Sequence, residues 1–225
     1  MKVVALLPMK GNSERVPNKN LKLFAGVPLY HRVLNTLLNS CYINEVVINT
    51  DSEAIKLDVL NNFPEKVTVL DRKKEIIGDF VSMNKIIQDD IDKVEADIYI
   101  QTHSTNPLLK TSSVDKAIEK MMSFKENKFD SIFSVTKIQT RLYDSNTVPF
   151  NHNPKELLRT QDLEPLFEEN SNFYIFTKDS FKSSGGKRIG IQPFMVELDK
   201  VESVDIDEPQ DFVIAESLYK LLYDN

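Results

Sequence analysis

Short apolar runs that alternate with helix-like stretches restrict the fold of this chain more than any other feature. The first run, at residues 3–7, is apolar at every position, which is typical of a strand covered by helices on both faces of a parallel sheet. Similar runs lie at residues 45–49, 67–70, 98–101 and 131–135, and the stretches between them predict helices at 29–38, 53–61, 82–94 and 113–124. This alternation predicts an α/β fold of three layers, with a mostly parallel sheet and right-handed crossovers.

The alternation is interrupted once, at residues 137–170, where the sequence becomes polar and gains proline and asparagine residues. We expect an arm inserted into a single domain of residues 1–225, because a long irregular stretch in a compact domain usually has a function or an interaction partner. The pattern then resumes, with strands predicted at 172–176 and 189–196 and helices at 178–182 and 209–223.

The predicted topology also indicates where a ligand binds. In parallel α/β sheets, ligands lie beyond the carboxyl ends of the strands. The loops that follow the predicted strands are residues 8–22, 50–52, 71–82 and 101–110. We therefore expect the functional residues in these loops, and we expect Ser52 and Ser82 to serve as N-caps of the helices that begin after them.

The composition excludes several classes of protein. The chain has 28 Lys and Arg residues against 34 Asp and Glu residues, and this net charge of −6 argues against the broad basic face that nucleic-acid binding needs. Cys41 is the only cysteine, so no internal disulfide or thiolate metal cluster is expected. No apolar run approaches the ~18 residues of a membrane span, and the apolar start is too short for a secretory signal. We expect a cytoplasmic protein that binds neither nucleic acid nor a membrane.

The loop after the first predicted strand is basic although the chain is acidic. Residues 10–22 carry a net charge of +3, from Lys10, Arg15, Lys19 and Lys22 against Glu14. Such a loop suits a small polyanion. It lacks both the Gly-Lys-Ser/Thr of a P-loop and the G-x-G-x-x-G of a dinucleotide site, which argues against ATPase and dehydrogenase functions. The alternative is a solvated polar loop with a turn and no ligand.

Two aspartates near the carboxyl end of the chain form a candidate metal site. Asp205 and Asp207 lie at the end of a short strand predicted at 204–206, and side chains two residues apart leave a strand on the same face. Two carboxylates on one face suit Mg²⁺, which takes its remaining ligands from water and from substrate phosphates. The alternative is that Asp207 only caps the last helix, which would leave Asp205 without a role.

The basic loop also carries a resemblance to a known family. Residues 8–29, PMKGNSERVPNKNLKLFAGVPL, resemble without gaps the first signature of the acylneuraminate cytidylyltransferase family. The resemblance implies a Rossmann-like nucleotidyltransferase fold, similar to that of GT-A glycosyltransferases, with this loop wrapped around the triphosphate of CTP. The nucleotide-binding positions that it implies in the loop are Lys10, Gly11, Ser13, Arg15, Lys19 and Asn20. Lys10 stands where the family usually has Arg, and Glu14 where it usually has Lys.

Other segments resemble the same family. Residues 98–109 resemble its sugar-contact motif, which implies substrate binding by Gln101 and Thr102, and residues 71–82 resemble more loosely a segment that implies nucleotide contacts from Arg72 and Ser82. For these residues the alternatives are a buried Gln at a strand end, a salt-bridged Arg72 and an N-capping Ser82. His103 lies beside the motif, where a structural role is the simpler interpretation.

The arm resembles the family as well. Residues 159–163 and 169–176 imply sugar contacts from Gln161, Asn170 and Tyr174, although Ser171 replaces the customary Gly. In the family this arm crosses to a second subunit, which implies a homodimer. A strand packing face is the alternative for Tyr174. The segment VDIDEPQDF at 204–212 resembles the family's magnesium site, which implies Mg²⁺ on Asp205 and Asp207.

Together these residues predict an enzyme that transfers CMP from CTP to a 2-keto-3-deoxy sugar acid of the sialic acid type and releases pyrophosphate. The residues expected to carry catalysis are Lys10, Arg15, Lys19, Asp205 and Asp207. Three alternatives stay open: an eight-carbon acid or a sugar 1-phosphate as the acceptor, a homologue that binds nucleotide without catalysis, and a glycosyltransferase. The basic loop does not favour the last of these.

Overall fold

The computed structural model, which describes residues 1–124 and 128–223, has a sheet of seven strands between two layers of helices. The strands are β1 (Val3–Leu6), β2 (Leu23–Phe24), β3 (Val27–Pro28), β4 (Glu45–Thr50), β5 (Val67–Asp71), β6 (Ile98–Thr102), β7 (Ser131–Ile138), β8 (Leu166–Phe176) and β9 (Pro193–Glu197). The helices are α1 (Leu29–Leu38), α2 (Glu53–Asn62), α3 (Met83–Lys93), α4 (Thr111–Met122), α5 (Lys178–Ser183) and α6 (Pro209–Tyr223).

The sheet has the strand order β5-β4-β1-β6-β8-β7-β9. Its neighbours are parallel except around β8, which is antiparallel to both β6 and β7. This confirms the prediction of a mostly parallel sheet. Strands β2 and β3 pair separately as a small antiparallel hairpin before α1.

Both faces of the sheet are buried, which explains why the strands are apolar at consecutive positions. Along β1, Val3 and Ala5 pack into one core with α1, α2 and α4. Val4 and Leu6 point the other way, into a second core with α3 and α5. A third cluster joins the hairpin to α6 and includes Ile206. Within the described ranges, no helix is long and apolar enough to cross a membrane.

Most predicted elements are present with small shifts at their ends, and the last helix has the predicted bounds. Both predicted N-caps are confirmed, because the Ser52 and Ser82 hydroxyls accept hydrogen bonds from the backbone amides of Ile55 and Asn84, each at 3.3 Å. The predicted strand at 189–196 is shorter and later, at Pro193–Glu197.

Two boundary predictions are wrong. Residues 204–206 form no strand: Ile206 N donates to the Thr105 carbonyl (3.0 Å), so single hydrogen bonds rather than a ladder hold this segment to the loop after β6. The irregular part of the arm is also shorter than 137–170, because β7 extends to Ile138 and β8 begins at Leu166. Long antiparallel pairing of these two strands, from Ile138 with Leu166 onward, orders both ends of the arm.

Candidate active site

The loops that follow β1, β5 and β6 meet around a cleft of about 400 Å³. Its lining comprises Pro8, Met9, Lys10, Ser13, Glu14, Arg15, Lys19, Asn20, Arg72, Gly78, Asp79, Val81, Met83, Ile86, His103, Ser104 and Thr105. These are three of the four loops expected from the strand pattern. A second cavity, of about 460 Å³ between α1 and α6, has none of the predicted site residues in its lining.

The remaining expected loop, which follows β4, packs against the basic loop. Gly11 N donates to Asp51 Oδ1 at 2.7 Å. A β-carbon added to Gly11 would lie 2.9 Å from the Ser52 β-carbon, so the two loops approach too closely for a larger residue. Gly11 is therefore needed for the close packing of the basic loop against the loop after β4.

The basic loop contacts the aspartate pair directly. Arg15 Nη2 lies 2.6 Å from Asp207 Oδ1, and Arg15 Nη1 lies 3.3 Å from Glu208 Oε1. Lys19 Nζ donates to the Ile206 carbonyl at 2.6 Å and lies 3.8 Å from Asp207 Oδ1. The fold thus joins two regions of opposite charge from opposite ends of the chain. Arg15 and Lys19 line the cleft, whereas Asp205 and Asp207 are outside its lining and adjoin it through these two cations.

The residues present fit a bound Mg²⁺. Asp205 Oδ1 is buried and has no hydrogen-bond partner among the described residues. Burial raises the pKa of the Asp205 carboxyl, a hydrogen bond from the Thr105 side chain acts against this rise, and the nearby charge of Asp207 adds to it. A buried carboxylate oxygen without a partner is costly, and a cation would remove that cost. Within residues 1–124 and 128–223 no group of three or more acidic, His or Cys side chains could hold a metal, so this pair would leave the other positions to water and phosphate.

Helix capping does not account for Asp207. The contacts of its carboxylate are with Arg15 and Lys19, and it is Asp211 Oδ2 that accepts from the amides of Asp207 and Glu208, at 3.0 and 2.7 Å, just before α6 begins.

The remaining loop residues divide into exposed and anchored ones. Lys10 and Ser13 line the cleft, and Lys10 Nζ is paired with Asp79 Oδ1 at 2.6 Å. Asn20 is largely buried, where its Nδ2 donates to the Lys10 carbonyl (3.0 Å) and its Oδ1 accepts from Ser104 Oγ (2.7 Å). Asn20 therefore holds the loop against the strand end, while Lys10 keeps a charge at its surface.

Arg72 lines the cleft and is held from behind by a buried network. Its Nε donates to Asn49 Oδ1 (2.9 Å), and its Nη2 donates to the carbonyls of Met9 (3.0 Å) and Asn49 (2.7 Å). Asn49 Nδ2 in turn donates to Asp90 Oδ1 at 2.6 Å. Asp90 is fully buried, and burial raises its pKa to about 7. Sequence reasoning singled out Arg72 but missed Asn49 and Asp90, which occupy ordinary strand and helix positions.

A second group of side chains adjoins the cleft at His103, and we call it the Arg188 cluster: Arg188, Gln101, His103, Tyr174 and Glu169. Arg188 Nη1 donates to Gln101 Oε1 (2.7 Å) and to His103 Nε2 (3.3 Å). The guanidinium carbon lies 3.7 Å from the centre of the Tyr174 ring. Burial and the Arg188 charge lower the pKa of His103 to about 3, so its imidazole is neutral and accepts this hydrogen bond. No motif in the sequence pointed to Arg188.

The other predicted sugar-side residues are placed differently. Asn170 Nδ2 donates to Thr136 Oγ1 (3.0 Å) and Ser203 Oγ (3.1 Å), which ties β8 to the segment before Asp205. Thr102 is fully buried at the end of β6. Gln161 lies apart from them in the arm, where its carbonyl accepts from Gln139 Nε2 at 2.9 Å. The fold thus pairs Gln101 with Tyr174 on neighbouring strands, but neither of them nor Gln161 belongs to the cleft lining.

Comparison with known proteins gives relatives over the whole length of the chain. The sequence is 28% identical over 241 residues to the pseudaminic acid cytidylyltransferase of Campylobacter jejuni, with 100% of this chain and 99% of the relative covered. It is 27% identical to the CMP-N,N'-diacetyllegionaminic acid synthase of Legionella pneumophila, which covers 98% of this chain and 97% of the relative. N-acylneuraminate cytidylyltransferase A of Danio rerio is 29% identical over 95% of this chain and 50% of its own length.

Solved structures give the same fold. A CMP:2-keto-3-deoxy-manno-octonic acid synthetase complexed with CTP superposes with a TM-score of 0.72, at 16% identity, over 99% of this chain and 100% of the other. A cytidylyltransferase from Leptospira borgpetersenii superposes with a TM-score of 0.66, at 14% identity, over 98% of this chain and 87% of the other. The cytidylyltransferase family profile matches residues 4–224, which include both the basic loop and the aspartate pair, and this chain therefore belongs to the cytidylyltransferase family of nucleotidyltransferases.

Proposed function

We propose that this protein transfers CMP from CTP to a 2-keto-3-deoxy sugar acid of the sialic acid type and releases pyrophosphate. The observation that carries the proposal is the contact between the basic loop and the aspartate pair, with Arg15 2.6 Å from Asp207 at the edge of one cleft. The names of the relatives support the acceptor class, because they act on pseudaminic, legionaminic and N-acylneuraminic acids.

In this proposal the protein positions the reactants and neutralises phosphate charge. The anomeric hydroxyl of the sugar acid attacks the α-phosphorus in line and gives up its proton to solvent water. The bond from the α-phosphorus to the bridging oxygen breaks, and pyrophosphate departs on the opposite side. The cations of Lys10, Arg15 and Lys19 would stabilise the charge on the phosphates. Lys10 and Arg15 form ion pairs with Asp79 and Asp207 in this structure. The triphosphate of CTP would replace these two carboxylates as the partner of the two cations.

Asp205 and Asp207 would hold Mg²⁺, and the support for this is the unpartnered, buried Oδ1 of Asp205. When bound, the ion supplies charge neutralisation and polarises phosphoryl oxygens. Arg15 would then leave Asp207 and turn to phosphate, while Lys19 keeps its hydrogen bond to the Ile206 carbonyl between the two aspartates.

We assign no proton transfer to His103. Its pKa of about 3 makes the imidazole a weak base, and Arg188 occupies its Nε2 with a hydrogen bond. Its proposed role is to accept from Arg188 and to line the cleft.

We propose further that the arm contacts a second copy of the chain and brings Gln161 to that copy's sugar site. The support is the apolar surface that the irregular part of the arm exposes in one copy: Tyr143, Val148, Phe150, Leu157 and Leu158. Sedimentation of the purified protein as a dimer is the expected result, and a monomer at micromolar concentration would remove this part of the proposal. Because CTP is a nucleotide of the cytoplasm, we propose that the reaction takes place there.

The function is tested by pyrophosphate release from CTP with Mg²⁺ and a panel of acceptors. The panel contains N-acetylneuraminate, pseudaminate, legionaminate, the eight-carbon acid KDO and a sugar 1-phosphate, with CTP alone as the blank. We expect turnover with a nine-carbon acid, and preferred turnover of KDO or of the sugar phosphate would overturn the acceptor class. CTP binding in a calorimeter without pyrophosphate release from any acceptor, while a known synthetase is active, would indicate a homologue that no longer catalyses.

A further inference from the structure

The Arg188 cluster contains a cation that its surroundings compensate only in part. The Arg188 side chain is 18% exposed, and within the described residues its one ion-pair partner is Glu169, with Nη2 3.9 Å from Oε1. Glu169 Oε1 already accepts a hydrogen bond from the Tyr174 hydroxyl. Burying a charge is costly unless a close partner offsets it, so this site favours an additional anionic group.

The guanidinium is fixed in place before any ligand arrives. Gln101 and His103 accept from Nη1, and the Tyr174 ring lies beneath the guanidinium plane at 3.7 Å. A guanidinium carries five N–H donors, and both of these hydrogen bonds use Nη1. Donors therefore remain for the paired hydrogen bonds that Arg makes with a carboxylate.

The position of the cluster selects the acceptor rather than the nucleotide. Arg188 touches the cleft at His103, which lines it, and the Arg188 amide donates to Asn84 Oδ1 (3.3 Å) beside another lining residue, Met83. The phosphates of CTP have their own cations in Lys10, Arg15 and Lys19 on the basic loop. The other anionic reactant in the proposed function is the sugar acid, whose charge is a carboxylate.

We propose that Arg188 binds the carboxylate of the acceptor sugar acid and so selects acids over neutral sugars. This inference rests on the proposed function and adds to it a residue that determines specificity. Gln101 and Tyr174 fix the guanidinium beside His103, which lines the cleft and accepts a hydrogen bond from Nη1. The rival explanation is that Arg188 only ties β6 to the segment before β9.

The test compares an acid with its own neutral analogue. Wild type and Arg188→Gln are assayed with the best acid of the panel and with its 1-carboxamide, with N-acetylneuraminate and its carboxamide as the reference pair. We expect wild type to prefer the acid by roughly 10- to 100-fold in kcat/KM, the range of a charge-assisted hydrogen bond. In Arg188→Gln this preference falls to about twofold or less, while KM for CTP stays within about twofold of wild type, because the nucleotide has separate contacts.

Controls separate binding of the carboxylate from a structural role. The exposed neighbour Lys187 provides the matched variant, because Lys187→Gln removes one positive charge at the adjacent position and should keep the wild-type preference. Arg188→Lys should keep part of the preference for the acid. If Arg188→Gln does not fold, Arg188→Lys is compared with wild type on the acid and the carboxamide instead.

The outcomes distinguish this inference from the proposed function. An Arg188→Gln enzyme that slows equally on the acid and the carboxamide, or that keeps the wild-type preference, would overturn the role of Arg188 and leave the function intact. A wild-type protein that releases no pyrophosphate with any acid would instead remove the proposed function. Calorimetry of CTP binding by each variant checks that its nucleotide site is formed.

Discussion

The basic loop and the Arg188 cluster adjoin the same cleft, but their positive charges are compensated in different ways. On the basic loop, Lys10 and Arg15 have half-exposed side chains that lie in ion pairs with Asp79 and Asp207. In the Arg188 cluster the side chain of the cation is only 18% exposed, its hydrogen-bond partners are a neutral amide and a neutral imidazole, and its carboxylate is 3.9 Å away.

This difference has a physical consequence for binding. Exposed ion pairs are weak and screened by salt, so their cations can exchange a carboxylate for a phosphate at little cost. A buried and fixed cation loses less entropy when its ligand arrives, and it discriminates strongly because an uncharged ligand leaves it uncompensated. The basic loop is therefore suited to adapt to a triphosphate, and the Arg188 cluster to select an acid.

The largest effect is expected where the basic loop meets the aspartate pair. Asp207→Asn should reduce kcat by at least ~100-fold, the size seen when one electrostatic stabiliser of a transition state is removed. The assay is pyrophosphate release at saturating CTP and Mg²⁺. Glu208→Gln is the matched control, since Glu208 also pairs with Arg15, at 3.3 Å, but lies outside the proposed metal pair. Similar rates for the two variants would argue that Asp207 only anchors Arg15.

The buried carboxyl of Asp90, which is linked to Arg72 through Asn49, provides a second test. Asp90 has a raised pKa of about 7, so the native state holds a proton that the unfolded chain releases near pH 4, and stability falls as the pH rises from about 4 to about 7. Asp90→Asn should remove this loss and stabilise the protein by about 1–2 kcal/mol at pH 8, with almost no gain at pH 4. Urea denaturation at both pH values measures the effect.

The neighbouring Asp89 provides a control of opposite sign. It lies 2.6 Å from both Lys73 and Lys93. Although burial acts to raise the pKa of Asp89, the hydrogen bonds from these two lysines outweigh burial and lower it. Asp89→Asn should therefore destabilise the protein above pH 4. A stabilising effect of both substitutions at pH 8 would show that local helix propensity, and not the burial of Asp90, causes the gain.

The smallest effect is expected from an exposed cation. Lys10→Arg should lower KM for CTP by about two- to fivefold at low salt, because a guanidinium contacts phosphate with two donors where an ammonium acts as a point charge. The gain should shrink at high salt, which screens exposed charges. Lys22→Arg, in the same loop with its ammonium 4.4 Å above the Phe212 ring, should leave KM for CTP unchanged. A gain that persists at high salt would contradict the adaptable role of the loop.

Local patterns were sufficient to predict most of the fold. The continuous apolar runs identified strands because both sheet faces are buried, and Ser52 and Ser82 marked helix starts because capping depends on nearby backbone amides. The prediction was wrong at 204–206, where an apolar pattern of strand type belongs to a segment that reaches the core through Ile206 without joining the sheet. Alternation indicates which side chains are buried, and it does not indicate whether a neighbouring strand is present.

Residues close together in the chain were enough to predict the α/β class, the basic loop and the aspartate pair. Which of these regions meet depends on the folded arrangement of the whole chain: Lys19 reaches Ile206 across 187 residues, and Arg188 reaches Gln101 across 87. Such contacts depend on strand order and on the antiparallel insertion of β8, which brings Tyr174 beside Gln101. Because strand pairing over long separations is set by the packing of the whole sheet, no local pattern could have identified Arg188 or the network of Asn49 and Asp90.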